Sequence, residues 1–180
     1  MPEHTSLLEP SPWIVRFAPL IPAGSMVLDL ACGNGRHARL LAGMGHQIEA
    51  VDRDAEALAA LVGIAGIQTR CTDLEGGSWP YYGCGFDAIV VSNYLHRPLL
   101  PNLFGCLNEG GLLIYETFMV GNELLGKPSN PAFLLRSGEL LDLVRNRLRV
   151  LAFEQGEVTE PRPAVIQHIV ARRGSVLRIP

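Results

Sequence analysis

Two glycines and two carboxylates have the types and spacing to bind a ligand. Gly33 and Gly35 follow an apolar segment that contains Asp29, and Asp52 follows the next apolar segment. Glycines let a backbone approach a ligand closely, and a helix beginning after Gly35 adds free N–H groups and a positive dipole. At the end of a second strand, Asp52 could accept hydrogen bonds from the 2′- and 3′-hydroxyls of a ribose. The pattern therefore predicts a nucleoside site.

Two classes of nucleoside fit the glycines. Gly33-x-Gly35-x-x-Ala38 matches the dinucleotide fingerprint GxGxxG/A, which is a weak signal by itself. A carboxylate at Asp29 would repel the pyrophosphate of NAD by on the order of several kcal/mol in a partly desolvated pocket. S-adenosylmethionine has an α-ammonium, a sulfonium and no phosphate, so Asp29 favours it. Asp29 could also be a buried acceptor for loop amides, and the two roles can coexist.

Apolar runs that alternate with amphipathic segments predict a β-α-β architecture that positions these residues. The predicted strands are 26–31, 47–51, 67–71, 86–92, 112–117, 148–154 and 164–172. The predicted helices are 36–44, ended by Gly45, 54–62, capped by Asp54, 99–107, and 137–145, capped by Ser137. Residues 120–131 form a predicted loop of the length typical of lids. We expect one domain over 1–180, with 1–11 as a flexible N-terminal arm.

Composition narrows the classes of partner. The net charge of −3 gives no basic footprint for nucleic acid, which disfavours a nucleic-acid partner. The four cysteines lack ligand spacing, so we expect neither a metal site nor a disulfide framework. No apolar run reaches the roughly 18–20 residues of a membrane span, and the first twelve residues do not resemble a secretory signal. We therefore expect a cytoplasmic protein without a membrane partner.

The stretch 27–38 (VLDLACGNGRHA) resembles motif I of the class I S-adenosylmethionine-dependent methyltransferases, hhD/E-h-G/A-x-G-x-G. The resemblance extends over about residues 12–172, and the chain is most similar to short bacterial tellurite-resistance-like members. It implies a Rossmann-like α/β fold: a seven-stranded, mostly parallel sheet with the last strand antiparallel and helices on both faces. It also implies S-adenosylmethionine as cofactor and S-adenosylhomocysteine as product. The first glycine of the motif is Ala31 here, which restricts the backbone dihedral angles that the turn can adopt.

The resemblance also implies roles for individual residues in holding the cofactor. The backbone of the turn, with Ala31, Gly33, Asn34 and Gly35, would approach the methionine part. Asp52 would hold the ribose and Arg53 would flank the adenine. Asp73 would accept from the adenine amino group, and Leu74 would supply the neighbouring N–H. Ser92 and Asn93 would line the methyl-transfer pocket.

Two residues after the fourth strand are candidates for catalysis. Methyl transfer from a sulfonium is an in-line displacement that positioning and exclusion of water largely achieve. A base is needed only when the nucleophile arrives protonated. Tyr94 and His96 lie where ligands bind in open α/β sheets, and the ordinary pKa of histidine, about 6.5, suits a base. Alternatively, His96 only precedes a helix that begins near Pro98.

Substrate contacts are expected from three places at the same rim. These candidates are Arg97, Glu116, Phe118 and Lys127, the only lysine. Glu116 could orient a substrate or pair with an arginine. Trp13 and Arg16 could close over the substrate or pack in a first helix. Three histidines without partners at a telling spacing are interpreted as structural: His4, His46 and His168.

The sequence thus predicts a methyltransferase that acts on a small-molecule nucleophile. One alternative is a nucleic-acid or protein methyltransferase of the same fold, against which the negative charge and the absence of an added recognition domain argue. Another is a protein that binds S-adenosylmethionine without catalysis. An NAD-dependent reductase comes last because of Asp29. The acceptor, the methylated atom and the oligomeric state stay open.

Overall fold

The computed structural model describes residues 9–160 and 162–174. Within these residues the strands are β1 Met26–Leu30, β2 Gln47–Asp52, β3 Ile67–Cys71, β4 Phe86–Ser92, β5 Leu107–Phe118, β6 Arg149–Val158 and β7 Ala164–Arg172. The α-helices are α1 Pro12–Phe17, α2 Arg36–Gly43, α3 Ala55–Ala59, α4 Leu100–Cys106 and α5 Glu139–Val144. Short 3₁₀ turns cover Ala18–Leu20, Arg97–Leu99, Asn122–Leu124 and Pro131–Phe133.

The strands form one seven-stranded sheet in the order β3-β2-β1-β4-β5-β7-β6. Strands β1 to β5 are parallel, and β7 is antiparallel to both of its neighbours. This confirms the predicted fold class. The order reverses between β1 and β4, and such a switch point leaves a crevice outside the carboxyl ends of the strands.

Two apolar clusters cover the two faces of the sheet. Helices α1, α2 and α3 pack with Val27 and Ile114 on one face, whereas α4 and α5 pack with Leu28 and Tyr115 on the other. The alternation follows from the two-residue period of a strand. The central strands are apolar on both faces because helices cover both. Polar side chains within these strands are therefore conspicuous, and Asp29 and Glu116 are both buried.

Several predicted boundaries and caps are corrected by the structure. Strand β5 begins at Leu107, five residues before the predicted start, and it includes Gly110, which takes a left-handed φ of 80°. Helix α5 follows Gly138, while the Ser137 hydroxyl accepts a hydrogen bond from Gln155 instead of capping the helix. The cap of α3 is as predicted: Asp54 accepts from the amides of residues 56 and 57.

The predicted N-terminal arm needs a correction at its end. Residues 1–8, with His4, lie outside the described residues. Ser11, however, is buried, and its hydroxyl accepts from the Trp13 amide, 3.2 Å away, at the start of α1. The segment 9–11 is thus part of the packed domain because it covers a polar region of the sheet, described below. Among the described residues, no helix is long and apolar enough to cross a membrane.

Candidate active site

A cavity of about 460 Å³, here called the first cavity, lies at the carboxyl ends of the parallel strands. A second cavity, described below, adjoins it. Its walls come from the ends of β1, β2, β3, β4 and β5 and from the loop before α5. They are formed by Ala31, Asp52, Arg53, Thr72, Asp73, Leu74, Glu75, Asn93, Tyr94, Leu95, Thr117, Phe118, Pro128 and Phe133. The structure therefore brings together most of the residues that the sequence singled out for the cofactor.

The Asp52 carboxylate is fixed at the edge of this cavity by two backbone amides. Gly33 N–H donates to Oδ2 at 2.8 Å, and Asp54 N–H donates to Oδ1 at 3.0 Å. Each carboxylate oxygen has a second lone pair that stays available for a ligand hydroxyl. The turn after β1 and the end of β2 are therefore locked together in a geometry that suits a ribose diol.

The two glycines of the turn, Gly33 and Gly35, have different steric surroundings. Both have a left-handed φ, 55° at Gly33 and 73° at Gly35. A Cβ at Gly33 would meet no protein atom within 4 Å, so the backbone there faces open space. A Cβ at Gly35 would overlap the Leu61 side chain. Gly33 thus leaves room for a close approach of a ligand, which stays a prediction, whereas Gly35 is needed for packing against Leu61.

Two residues with side chains hold strained backbone conformations in the cavity wall. Ala31 has φ 54° and Asn93 has φ 57°. The left-handed region costs roughly 1–2 kcal/mol for a residue with a Cβ, somewhat less for Asn. Such strain concentrates at functional sites, where the surrounding structure enforces it. Ala31 occupies the position where the resemblance expects glycine, so its strain is the direct result of that exchange.

Asp29 lies beneath the turn rather than in either cavity wall. Its side chain is 1% exposed, and Oδ2 has no hydrogen-bond partner among the described residues. Burial raises the pKa of Asp29 to about 7, although the Ala38 amide and the Arg36 charge lower it. Asp29 lines neither cavity, and the interaction with the cofactor that the sequence suggested, direct or through water, stays a prediction. The burial of Asp29 under the start of α2 fits the alternative role, that of a buried hydrogen-bond acceptor.

On the other side of the first cavity, the loop after β3 carries the residues expected for adenine. The Asp73 carboxylate accepts from the Glu75 amide at 2.9 Å, and this hydrogen bond lowers its pKa. Asp73 is therefore an oriented, ionised acceptor, and Leu74 and Arg53 lie in the same wall. Their roles toward adenine stay predictions.

The two candidate catalytic residues are placed differently. Tyr94 lies in the wall of the first cavity. Burial, and then the Glu75 carboxylate, raise the pKa of the Tyr94 hydroxyl, so it stays protonated and can donate or accept a hydrogen bond. His96 lies outside the walls of both cavities described here, with Nδ1 3.9 Å from Glu75 Oε2. The geometry gives no position from which His96 would reach a ligand in either.

Arg97 makes structural contacts, and its predicted contact with substrate stays a prediction. Its Nε and Nη2 donate to the two carboxylate oxygens of Glu139 at 2.6 and 3.0 Å. The same guanidinium donates to the carbonyls of Ala132 and Leu134. Burial by itself raises the pKa of Glu139. The hydrogen bonds from Arg97 and Arg136 outweigh burial and lower this pKa to about 2. Arg97 thus ties α5 to the preceding loop through four hydrogen bonds.

Lys127 is exposed and does not belong to either cavity wall. Its neighbour Pro128, together with Phe133, does line the first cavity. The loop predicted as a lid therefore flanks the site, but it does so with apolar residues. A substrate contact from Lys127 stays a prediction.

A second cavity of about 350 Å³ adjoins the first. The two share Asn93, Thr117 and Phe118. The remaining walls come from the chain before α1, the start of α2, and strands β5, β6 and β7: Glu9, Pro10, Ser11, Pro12, Trp13, Arg36, Glu116, Val158, Glu160, Arg162, Ala164, Ile166 and His168. Most of this surface is apolar.

Three residues on adjacent strands, here called the polar row, lie side by side next to the second cavity, and two of them, Glu116 and His168, line its wall. Ser92 on β4 pairs with Glu116 on β5, which pairs with His168 on β7. The Ser92 hydroxyl donates to Glu116 Oε1 at 2.7 Å, and the Ser11 hydroxyl donates to Oε2 at 2.6 Å. His168 Nε2 lies 3.5 Å from Oε2. Glu116 therefore pairs with hydroxyls and an imidazole and makes no direct ion pair with an arginine in the described residues.

The start of α2 covers this row. Arg36 Nη2 donates to the Ser92 hydroxyl at 3.2 Å, and the Ser11 amide donates to His37 Nε2 at 3.1 Å. Burial lowers the pKa of His37 to about 3, so His37 is a neutral acceptor. Sequence reasoning missed Ser11, Arg36 and His168 as site residues. The pattern "GNGR" places Arg36 near the turn, but no local signal pairs residue 168 with residue 116.

Part of the chain is similar to known methyltransferases. Residues 27–111 match a family model described as a methyltransferase domain. An uncharacterized methyltransferase of Mycobacterium bovis is 34% identical over 107 residues, 56% of this chain and 54% of that protein. Its counterpart in Mycobacterium tuberculosis gives the same values. The chain thus matches about half the length of these curated relatives.

Solved structures are similar over nearly the whole chain. TehB from Haemophilus influenzae gives a TM-score of 0.72 at 21% identity, over 89% of this chain and 61% of that one. The 1,6-didemethyltoxoflavin-N1-methyltransferase of Burkholderia thailandensis, solved with 1,6-didemethyltoxoflavin and S-adenosylhomocysteine, gives 0.69 at 16%, over 96% and 80%. A TehB-like methyltransferase of Corynebacterium glutamicum gives 0.65 at 20%, over 89% and 86%. At these identities the likeness shows the fold.

The predicted resemblance is confirmed, and the cofactor used by this family, S-adenosylmethionine, is the one that the sequence favoured. Residues 27–111 match the methyltransferase-domain model, and the chain has the fold of the class I S-adenosylmethionine-dependent methyltransferases, with TehB among the similar structures.

Proposed function

We propose that this protein transfers a methyl group from S-adenosylmethionine, bound in the first cavity, to a small-molecule acceptor. One observation supports this most directly: two adjoining cavities share the wall of Asn93, Thr117 and Phe118 at the carboxyl ends of β4 and β5. The first has fixed carboxylates suited to an adenosine, and the second has room for another molecule beside it. A group-transfer reaction needs such an arrangement, since donor and acceptor must meet at one boundary.

The chain's own residues divide the work of holding the donor. Asp52 would bind the ribose hydroxyls, Asp73 and Leu74 the adenine edge, and the turn from Ala31 to Gly35 the methionine part. The open space at Gly33 and the volume of the first cavity fit a ligand of that size. When bound, S-adenosylmethionine supplies a methyl group on a sulfonium, already activated for displacement. The protein then needs to align the acceptor and exclude water.

The size of the second cavity supports a small acceptor. About 350 Å³ is at the lower end of the range for small-molecule sites. The Burkholderia methyltransferase of similar fold takes its name from such a compound. The net charge of −3 supports the same class over nucleic acid. A single domain over the whole chain and a cytoplasmic location remain proposals.

Calorimetry would test the donor. We expect S-adenosylmethionine and S-adenosylhomocysteine to bind and NADH not to bind. Substitution of Asp52 by Ala should weaken S-adenosylhomocysteine binding by about 1.5–3 kcal/mol, roughly 10- to 150-fold, because hydrogen bonds to a charged group are lost. Asp142→Ala, at an exposed helical carboxylate, is the matched control and should bind normally. Binding of NADH alone would overturn the assignment.

Transfer itself is tested with labelled S-adenosylmethionine and panels of thiols, phenols, amines, oxyanions and RNA. We expect label in a small-molecule fraction. Label in RNA or in added protein would instead support a macromolecular methyltransferase. Binding of the donor without transfer to any panel would support a protein that binds S-adenosylmethionine without catalysis.

A further inference from the structure

We propose that the second cavity is the acceptor site, that it takes a largely apolar molecule with one ionisable O–H, N–H or S–H group, and that the imidazole of His168 receives this proton. The inference rests on the proposed function, since it assumes the methyl donor in the first cavity. It assigns to His168 the role of base that the sequence predicted for His96.

The position of His168 is the first argument. Its ring lies in the wall of the second cavity, and Nε2 is buried with no hydrogen-bond partner among the described residues. Trp13 stacks on the ring with centroids 4.7 Å apart and planes 27° apart, which fixes its orientation. A buried N–H without a partner costs free energy, and Glu116 Oε2, 3.5 Å from Nε2, is the carboxylate oxygen toward which it can be directed.

Glu116 is the second argument. Its carboxylate is held by the hydroxyls of Ser11 and Ser92, and Oε2 lies 3.5 Å from His168 Nε2. A neutral imidazole that directs Nε2–H toward this carboxylate leaves Nδ1 as the free acceptor. Once protonated, the imidazolium is stabilised by the nearby negative charge in a site of low dielectric constant. Glu116 is therefore a positioning residue, in the same relation as the carboxylate of a serine-protease triad to its histidine.

The chemistry of the walls is the third argument, and it defines the acceptor. Trp13, Phe118, Ile166 and Ala164 present apolar surface, so a molecule that enters must leave water and is favoured if it is apolar and uncharged. An uncharged nucleophile of oxygen, nitrogen or sulfur that carries a hydrogen needs a base when it reacts. The apolar walls and the imidazole thus select the same class of compound.

The proposed step conserves atoms and electrons. A lone pair of the acceptor atom forms a bond to the methyl carbon while the carbon–sulfur bond breaks and its electron pair stays on sulfur. The acceptor's proton moves to His168 Nδ1 and later leaves to solvent. No oxidant or further reactant is required.

Other charged groups also act on His168. Glu154 faces it from β6 and pairs with Arg16 of α1, with Nη1 and Oε1 3.1 Å apart. Arg36 approaches the polar row from α2 through Ser92. Burial lowers the pKa of His168, while Glu116 and Glu154 raise it, so the imidazole is neutral before the reaction at neutral pH.

Four more groups complete the surroundings. The neutral His37 lies behind Ser11, and three charged residues belong to the cavity wall: Glu9, Glu160 and Arg162. The Arg162 guanidinium lies 5.6 Å from the centre of the Phe118 ring. The pH dependence of any variant must be compared with wild type under the same salt, because these charges shift it as well.

The test uses 4-nitrophenol, an apolar phenol whose anion absorbs visible light, and the whole protein saturated with S-adenosylhomocysteine. We expect the probe to bind the wild type. Ile166→Trp, which fills the second cavity, should weaken probe binding by at least about tenfold and leave S-adenosylhomocysteine bound. Val150→Trp, on the exposed surface of β6, is the control and should bind both normally.

Proton acceptance is measured by titrating the bound probe in the visible spectrum. In His168→Gln the ionisation constant of the bound phenol should fall at least about tenfold relative to wild type, because no group receives the proton beside Glu116. His46→Gln, at the opposite end of the sheet, should titrate like wild type. Thermal unfolding identifies any variant that fails to fold.

The possible failures are distinct. No binding of S-adenosylhomocysteine to wild type would refute the proposed function. If S-adenosylhomocysteine binds but the probe does not, or binds equally to Ile166→Trp, the second cavity is not the acceptor site proposed here. A bound probe that titrates identically in wild type and His168→Gln would remove the proton-acceptor role. Loss of S-adenosylhomocysteine binding in His168→Gln would place His168 in the donor site and also overturn the inference.

Discussion

The two cavities share three wall residues but are assembled in different ways. The first is built from turns that directly follow their own strands, so that Gly33 and Asp52 meet through one hydrogen bond between neighbouring strands. The second depends on contacts between distant parts of the chain, such as that of Ser11 with Glu116, 105 residues apart. A local motif can therefore specify a donor site, while an acceptor site assembled from distant segments can change without disturbing that motif.

The largest expected effect concerns Asp29, which lies under the first cavity without lining it. Its folded-state pKa of about 7 exceeds the ordinary value of 3.8, so the favourable contribution of the protonated group is lost as pH rises from about 4 to 7. Between pH 4 and pH 8, Asp29→Asn should therefore gain about 4 kcal/mol in free energy of unfolding relative to wild type. Urea denaturation of the ligand-free proteins measures this.

The same variant tests what Asp29 does for the ligand. We expect its affinity for S-adenosylhomocysteine to change less than that of Asp52→Ala, because the side chain lies outside both walls. An equal loss of affinity would show that Asp29 interacts with the donor after all.

The second effect separates the two glycines of the turn. Gly35→Ala should lower the free energy of unfolding by about 3 kcal/mol, since the new Cβ overlaps Leu61 and the backbone is left-handed. Gly33→Ala should lower the free energy of unfolding by about 1 kcal/mol, from the backbone alone. It should also weaken donor binding, because the new Cβ would enter the open space in front of the turn. Similar stability losses in the two variants would contradict the packing role of Gly35.

The third effect concerns the second cavity alone. Ser11→Ala removes the hydroxyl that holds Glu116 and caps α1, and should cost about 1.5 kcal/mol of stability. Donor affinity should be unchanged by calorimetry. Ser137→Ala, at an exposed serine with one hydrogen bond to Gln155, is the control with a smaller loss. A fall in donor affinity for Ser11→Ala would show that the cavities are coupled.

The smallest expected effect is an increase in stability. Ala31→Gly should stabilise the protein by about 0.5 kcal/mol, because relief of the left-handed strain exceeds the entropy cost of glycine. Ala57→Gly, inside α3, should destabilise by about 1 kcal/mol. Thermal unfolding of both variants measures the difference, and destabilisation by Ala31→Gly would mean that the turn carries no such strain.

The sequence by itself determined the strands, the turn and the first cavity. Strands β3, β4 and β7 have the predicted bounds, and Asp52 lies beside Gly33 as predicted. These features depend on the alternation of apolar residues and on glycine positions a few residues apart, which short segments of sequence express.

Only the tertiary structure decided which distant residues meet. Gly35 packs on Leu61, Arg97 binds Glu139, and His168 lies beside Glu116. An apolar pattern identifies a strand but neither its neighbour nor its register, and a one-residue slip would turn His168 to the other face. Burial also follows from packing, which is why the surroundings of Asp29 could not be predicted from its place in the motif.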